Sequence, residues 1–306
     1  MLQLSTALTT APCGARARLS RLAALVILAC AATLPAPANA AEGDAATLRA
    51  KYTELQPKLQ NNAFQRPLHL DSTEAAGGLK GDIYAVVDYP FATVSAAFSG
   101  PGQWCDMLIL HLNTKYCRPS SESGRDHLLV SVGKKHDQPL EDAYRVDFSF
   151  NPLASTPDYM NVALDAKDGP MGTSNYRILL EAVPLPDGHA FIHLTYSYAY
   201  GMAARVAMRA YLATVGSDKV GFTRTGGQGD YVGGVRGVVE RNTMRYYLAI
   251  DSYLAAAKTA PAEQMDRRFQ TWFAATERYA RQLHEVERGE YLEMKRSEYR
   301  RQKEAR

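Results

Sequence analysis

The sequence predicts an α+β fold in which an antiparallel sheet wraps a long C-terminal helix, with an additional C-terminal amphipathic helix beyond it. Three observations predict it. From Leu128 to Tyr200 apolar residues alternate with polar ones, the period of half-buried strands. The connections within that run are short, and Pro184-Leu185-Pro186-Asp187-Gly188 is a turn suited to a hairpin, so the strands pair antiparallel. From Val235 the period becomes helical, in two stretches separated at Pro261.

The N-terminus has the pattern of an export signal. Arg16, Arg18 and Arg21 precede an apolar run from Leu22 to Leu34, and Ala38-Asn39-Ala40 is a small-residue cleavage site. That order predicts a signal peptide over residues 1–40, cleaved near Ala40, and a periplasmic mature chain. The apolar run is too short to span a bilayer comfortably. The alternative is a lipoprotein anchored at Cys30, after Ile27-Leu28-Ala29. The whole chain carries 35 basic and 32 acidic residues. The leader holds three of the arginines and no acid, so the mature chain has 32 of each and no electrostatic footprint for nucleic acid. Cys13 and Cys30 leave with the leader. Cys105 and Cys117 remain for an oxidising compartment, which predicts a disulfide between them.

Residues 41–79 read as an N-terminal helical extension, with Leu48, Tyr52 and Leu55 at helical spacing and a flexible joint at Ala75 to Gly78. Asp82 to Tyr89 is rich in Ile, Val and Tyr and reads as a strand stopped by Pro90. Phe91 to Phe98 is a short helix. Trp104 leads to Cys105 and to the apolar run Met107 to Leu112, which is either helix or strand. The alternating strands follow, centred on Leu128–Val132, Tyr144–Phe150, Met160–Leu164, Tyr176–Leu180 and Ala190–Tyr200. Met202, Val206, Ala210 and Leu212 suggest a helix to Val215. Lys219 to Arg224 is extended, and a glycine-rich segment runs to Gly237. Val235, Val239, Tyr246, Ile250 and Tyr253 form the stripe of the long helix, with Arg236 and Glu240 as an i,i+4 pair on its wet side. Residues 258–306 form a second helix and a charged tail. Pro261 starts that helix, its stripe runs from Met265 to Val286, and the tail beyond His284 reads as solvated and frayed.

The segment Asp82 to Tyr89, with Pro90 and Phe91 opening a helix and Trp104 beyond, resembles the START-like superfamily, which also contains polyketide cyclases, lipid-transfer domains and pollen allergens. The resemblance covers about residues 80–257, with Val235 to Leu254 as the gripping helix of a helix-grip fold. It implies a hydrophobic cavity between sheet and helix and a lipid, sterol or polyketide ligand. The stretch from Gly201 to Gly234 and the helix after Pro261 depart from the family pattern. No common catalytic motif exists in that family to carry over, and fold does not fix function.

The ligand-binding candidates come from the strand and the helix that would face each other. Tyr196, Tyr198 and Tyr200 share one strand face, and Tyr246 lies on the long helix; together they make an apolar interior with hydroxyls. Arg241, Asn242 and Arg245 lie on one side of that helix, one turn apart, a spacing that holds a carboxylate or phosphate. The same residues also read as ordinary aromatic core and as a solvated helix face. The glycine-rich segment has neither GxxxxGK[ST] nor a strand-linked GxGxxG, so it reads as a loop or an entrance lid. The histidines form no HExxH and no tight pair, and no metal or cofactor is expected. Asp147, Glu181 and His193 share a sheet face that reads as wet, and no GxSxG elbow is present. The expected function is periplasmic binding or carriage of a hydrophobic or amphipathic small molecule of lipid type. The alternatives are a cyclase- or hydrolase-type enzyme using the same cavity, or a protein that docks an envelope partner through its C-terminal helix.

Overall fold

A computed structural model describes residues 44–304, apart from residues 76, 203–205, 207, 209, 211–213, 215 and 227–229. All described residues fall in one unit, Glu42–Arg306. The expected leader, with Cys13 and Cys30, and most of the helix expected from Met202 to Val215 lie outside the described residues.

Eight strands form one antiparallel sheet: β1 Leu68–Ala75, β2 Gly78–Val87, β3 Thr114–Glu122, β4 Arg125–Val132, β5 Tyr144–Thr156, β6 Tyr159–Asp168, β7 Thr173–Pro184 and β8 Ala190–Tyr200. Their order is β1-β2-β8-β7-β6-β5-β4-β3. Two short helices, α2 Phe91–Ala97 and α3 Pro101–Leu108, carry the chain from β2 to the far edge at β3. β1 was not legible in the sequence; the joint expected at Ala75 to Gly78 is the turn of the β1–β2 hairpin. The period-two residues Val130, Val146, Phe148, Val162, Ile178 and Leu194 are buried together on the inner face. Against that face lies the long helix α4, Gly234–Ala255. Its approach to β2 is close because Gly81 has no side chain: a Cβ there would run into the Thr243 hydroxyl. Any larger residue at that position pushes helix and sheet apart.

The outer face is covered as well, by α1, Ala45–Gln60. Asp44 caps it, accepting the Thr47 N–H at 2.6 Å. Leu48, Leu55 and Leu59 pack on Val183, Leu185 and Phe191 of the sheet. Under α1 the sheet is therefore buried on both sides, and the polar residues there are not wet.

Three helices follow α4: α5 Pro261–Glu277, α6 Ala280–Leu283 and α7 Arg288–Glu304. The α5 stripe is internal. Met265, Phe269 and Trp272 are buried, and the Trp272 indole donates to the Arg245 carbonyl at 3.1 Å. The apolar face that the sequence offers to an envelope partner is thus spent on α4 of the same chain. The tail is likewise docked rather than frayed. Tyr291 donates to the Leu110 carbonyl at 2.9 Å, and Lys295 to the carbonyls of His111 and Thr114 at 2.7 Å each. Gln302 accepts the Cys117 N–H at 3.1 Å. A charge-rich sequence hides such an interface, because what marks it is partners rather than hydrophobicity.

Cys105 on α3 and Cys117 on β3 are joined in a disulfide, with Cα atoms 5.2 Å apart. The bond closes a loop with a sequence separation of 12. Loop-closure entropy for such a loop is worth about 3 kcal/mol. Reduction, or Cys105→Ser with Cys117→Ser, is expected to lower the unfolding free energy by about that amount. Denaturant titration with and without reductant checks it; an unchanged midpoint would show that the bond only decorates a pairing already fixed by β3.

Candidate functional site

A cavity of about 440 Å³ lies between the inner face of the sheet and α4. That is within the usual size of a small-molecule site, about 300–1,000 Å³. Its floor is apolar, from Val130, Val146, Phe148 and Ile178. Val238, Asn242 and Tyr246 of α4 form the roof, while His111 and Asn113 of the α3–β3 connection close one end. Tyr144, Met171 and Met208 stand at the mouth, and Met171 is 82% exposed.

Aromatic rings run through the wall. Tyr176 stacks on Tyr198 with centroids 5.1 Å apart and planes 12° apart. Tyr196 lies 5.1 Å from Tyr246 across the sheet–helix gap, and Tyr246 stacks on His111 at 4.8 Å. Period two on β8 puts Tyr196 and Tyr198 on the inner face, and the helical stripe puts Tyr246 opposite them. Burial pushes the phenol pKa values of Tyr196, Tyr198 and Tyr246 upward, so all three remain hydroxyl donors. Tyr176 shares a hydrogen bond with Thr173 at 2.8 Å. Among the described residues the hydroxyls of Tyr198 and Tyr246 have no protein partner, which leaves both for whatever fills the space.

Of the residues singled out in the sequence, Tyr196, Tyr198, Asn242 and Tyr246 line the cavity. Tyr200 does not; it lies one repeat further along β8, its hydroxyl 3.4 Å from Glu74. Arg241 and Arg245 are buried but are not cavity residues. Arg245 turns to the other side of α4, where it meets the Glu285 carboxylate at 2.9 Å and the Leu283 carbonyl at 3.3 Å. Glu285 also pairs with Lys135 at 2.5 Å and Lys219 at 2.8 Å. A carboxylate does meet the arginine side of this helix, as the spacing predicts, but it is the chain's own. Burial pushes the Glu285 carboxyl up, yet Arg245 and Lys135 outweigh it and hold it at about 2. Lys135 falls to about 8 through burial and the neighbouring Arg245.

His111 is the wall residue that sequence reasoning missed. Its Nδ1 accepts the Asn113 N–H at 3.1 Å, so in the neutral ring the proton is on Nε2. Burial, then Arg245, Lys295, Lys135 and Lys115, hold its pKa well below the ordinary histidine value. A histidine in an apolar run gives no signal of this kind in sequence.

The acid–base residues converge on the other face of the sheet, under α1. His193 is held between Glu181, 2.8 Å from Nδ1, and Asp82, 2.9 Å from Nε2. Thr195 donates to Asp82 at 2.7 Å, Tyr159 to Glu181, and Tyr84 stacks on the imidazole at 4.2 Å. Burial pushes the His193 pKa down, but the hydrogen bonds it donates to Asp82 and Glu181 outweigh it, and the net direction is up. Asp147, expected beside them, instead pairs with His127 at 2.9 Å. Both imidazole nitrogens are taken, so this set ties strands β2, β7 and β8 together and has no nitrogen left for a substrate. Among the described residues no group of three His, Cys, Asp or Glu is placed to hold a metal.

The described residues on either side of 227–229 are anchored. Arg224 and Tyr231 pair as an isolated bridge, and Phe222 and Thr223 donate their N–H groups to Glu240. Glu240 is fully buried, against the wet position expected for it; Arg236 is 3.8 Å away.

The sheet path through α2 and α3, the short connections from β3 to β8 and the long helix across the inner face define the architecture. The chain has the helix-grip fold. Solved structures matched by this chain include Ara h 8.0201, over 62% of this chain and 99% of its own, at 10% identity and a TM-score of 0.35. Human StAR-related lipid transfer protein 5 matches over 77% of this chain and 97% of its own, at 9% identity and a TM-score of 0.30. A truncated norcoclaurine synthase from Thalictrum flavum matches over 47% and 90%, at 15% identity and a TM-score of 0.32. No family model matches the chain, and no curated protein matches its sequence.

Proposed function

We propose that the mature protein binds and carries a hydrophobic or amphipathic small molecule, of lipid type, in the periplasm. The observation that carries this is the apolar cavity under α4, with unpartnered tyrosine hydroxyls in its wall. The leader pattern over residues 1–40 supports export, and a disulfide suits an oxidising compartment. The hydrogen-bonded acid–base set lies across the sheet from the cavity, which favours carriage over turnover.

Protein purified from the cell envelope is expected to show, by native mass spectrometry, a bound mass that organic solvent removes. Val238→Trp fills the space from the roof and is expected to lose that mass while keeping the wild-type circular dichroism. A bare wild-type mass, together with no binding of a fluorescent fatty-acid probe, overturns the reading.

A further inference from the structure

The outer face of the sheet carries a second hollow. α1 covers that face at Val183, Leu185 and Phe191. Nearer the β3 edge, over β3, β4 and β5, a cavity of about 290 Å³ is lined by Tyr116, Arg118, Ser131 and Arg145. The strand register brings these four together. Tyr116 of β3 and Arg145 of β5 both pair with Ser131 of β4, and Arg118 pairs with Leu129, one repeat along. Their neighbours Cys117, Val130 and Val146 belong to the inner core, so period two turns all four side chains outward. Paired residues stand about 5 Å apart at Cβ, and diagonal ones about 7–8 Å. Two arginines therefore flank one serine, within the reach of their side chains.

Ser131 is 6% exposed and Tyr116 9%, while both arginines are exposed. The serine and the tyrosine thus lie deep, and the arginines form the rim. Among the described residues, none of these four side chains has a hydrogen-bonding or ionic partner. Buried hydroxyls are ordinarily bonded. Two without a partner, side by side beneath two uncompensated guanidinium groups, mark a place completed by an acceptor from outside the chain. A guanidinium can only donate, and both hydroxyls can donate to the same acceptor. Asp147 is the carboxylate in this wall. It is engaged by His127, 2.9 Å from Nδ1, and makes no ion pair with either arginine.

We propose that this hollow binds a phosphate group, held by Arg118 and Arg145 at the rim, with the hydroxyls of Ser131 and Tyr116 donating from below. It faces away from the cavity under α4 and does not rest on the ligand-carriage reading. A phosphate monoester carries a charge of about −1.5 to −2 at neutral pH and three free oxygens. That is enough to meet two cations and two hydroxyls at once. A carboxylate offers two oxygens and a single charge, which leaves an arginine and a hydroxyl unmet. Guanidinium groups suit such oxygens because two parallel N–H bonds can meet two of them. A free phosphate, a soluble phosphate ester and the head of a phosphatidate lipid all present this group.

The mature protein is titrated calorimetrically with inorganic phosphate and with acetate, and is sedimented with phosphatidylcholine vesicles that do or do not contain phosphatidic acid. Phosphate is expected to bind roughly tenfold or more tightly than acetate. Arg118→Ala and Arg145→Ala are each expected to weaken phosphate by about tenfold, the loss of a charge-assisted contact. Both positions are exposed, so both variants are expected to keep the wild-type circular dichroism. Tyr116→Phe combined with Ser131→Ala is expected to weaken phosphate severalfold. Arg125→Ala, at an exposed arginine of β4 outside the hollow, is expected to leave the affinity unchanged. Retention on phosphatidate vesicles that is lost in Arg118→Ala assigns a lipid head as the source; phosphate binding without retention assigns a soluble phosphate. Acetate bound as tightly as phosphate, an equal loss in Arg125→Ala and Arg118→Ala, or an affinity indifferent to the two hydroxyls overturns the inference and leaves carriage standing. So does the absence of both phosphate binding at millimolar concentration and vesicle retention.

Discussion

Glu298→Ala is expected to destabilise the domain by about 3–5 kcal/mol, the usual cost of removing one partner from a buried ion pair. Glu298 is 1% exposed and serves two buried lysines, Lys115 at 3.0 Å and Lys295 at 2.7 Å. Lys115 comes from β3 and Lys295 from α7, so this carboxylate is the bolt between tail and sheet. Without it two ammonium groups lose their counter-charge in a dry interface. The loss also has a pH signature. Burial holds the Lys295 pKa down at about 8 in the folded protein, against roughly 10.4 for an unfolded lysine. The unfolded chain therefore binds more protons between those values, and this group's contribution to stability rises with pH across that window. Removing Glu298 takes away the influence that holds the pKa up, so the folded value falls below about 8 and the window opens downward. The part of the deficit due to Lys295 is then largest at the acid end of the range, shrinks as pH rises toward about 8 and is gone above it. Denaturant unfolding of wild type and variant from about pH 6 to about pH 9 reads this directly. A deficit that does not change with pH would assign the loss to packing instead.

The sheet and the grip helix were legible because they obey simple periods. The central residues of β4 to β8 alternate on the inner face, and α4 carries a continuous stripe, so Tyr196, Tyr198 and Tyr246 could be set opposite one another from spacing alone. The disulfide followed from counting cysteines. What could not be read depends on a third layer. Period two places His193 and Glu181 on the outer face, but only α1 packed there makes that face dry. The docking of α7 rests on Lys295, Glu298 and Gln302, residue types that signal solvent in any sequence. Arg245 and Asn242 fall on adjoining positions of one helix turn, yet one turns to Glu285 and the other to the cavity. That division is set by the distant segment carrying Glu285, which no local pattern announces.

Glu240→Ala is expected to cost roughly 4 kcal/mol and to loosen the cavity roof, by a different route. Glu240 is fully buried on α4, and every contact of its carboxylate is to a donor. Oε1 accepts from Ser72 at 2.5 Å and from the Thr223 hydroxyl at 2.7 Å; Oε2 accepts the N–H groups of Phe222 and Thr223 at 2.5 and 2.9 Å. Arg236 also donates to Ser72 at 2.6 Å. One side chain therefore joins the helix to β1 and to the loop before it, and its removal takes the acceptor from two backbone donors. Gly221 shows how closely the loop is held: a Cβ there would lie 2.5 Å from Glu240 Oε2 and 3.0 Å from the Gly237 Cα. Glu240→Gln is expected to rescue much of the loss. Its amide oxygen can keep the Phe222 and Thr223 N–H groups while its NH₂ donates to the Ser72 and Thr223 hydroxyls, which accept as well as donate. Hydrogen exchange at the Phe222 and Thr223 amides is expected to accelerate in Glu240→Ala and much less in Glu240→Gln. Because Val238, two residues before Glu240 on α4, lines the cavity, binding of a fluorescent fatty-acid probe is expected to weaken with it. Fast exchange with unchanged probe affinity would show that the loop and the roof move independently, and that α4 is held in place by its contacts with β2 and α5.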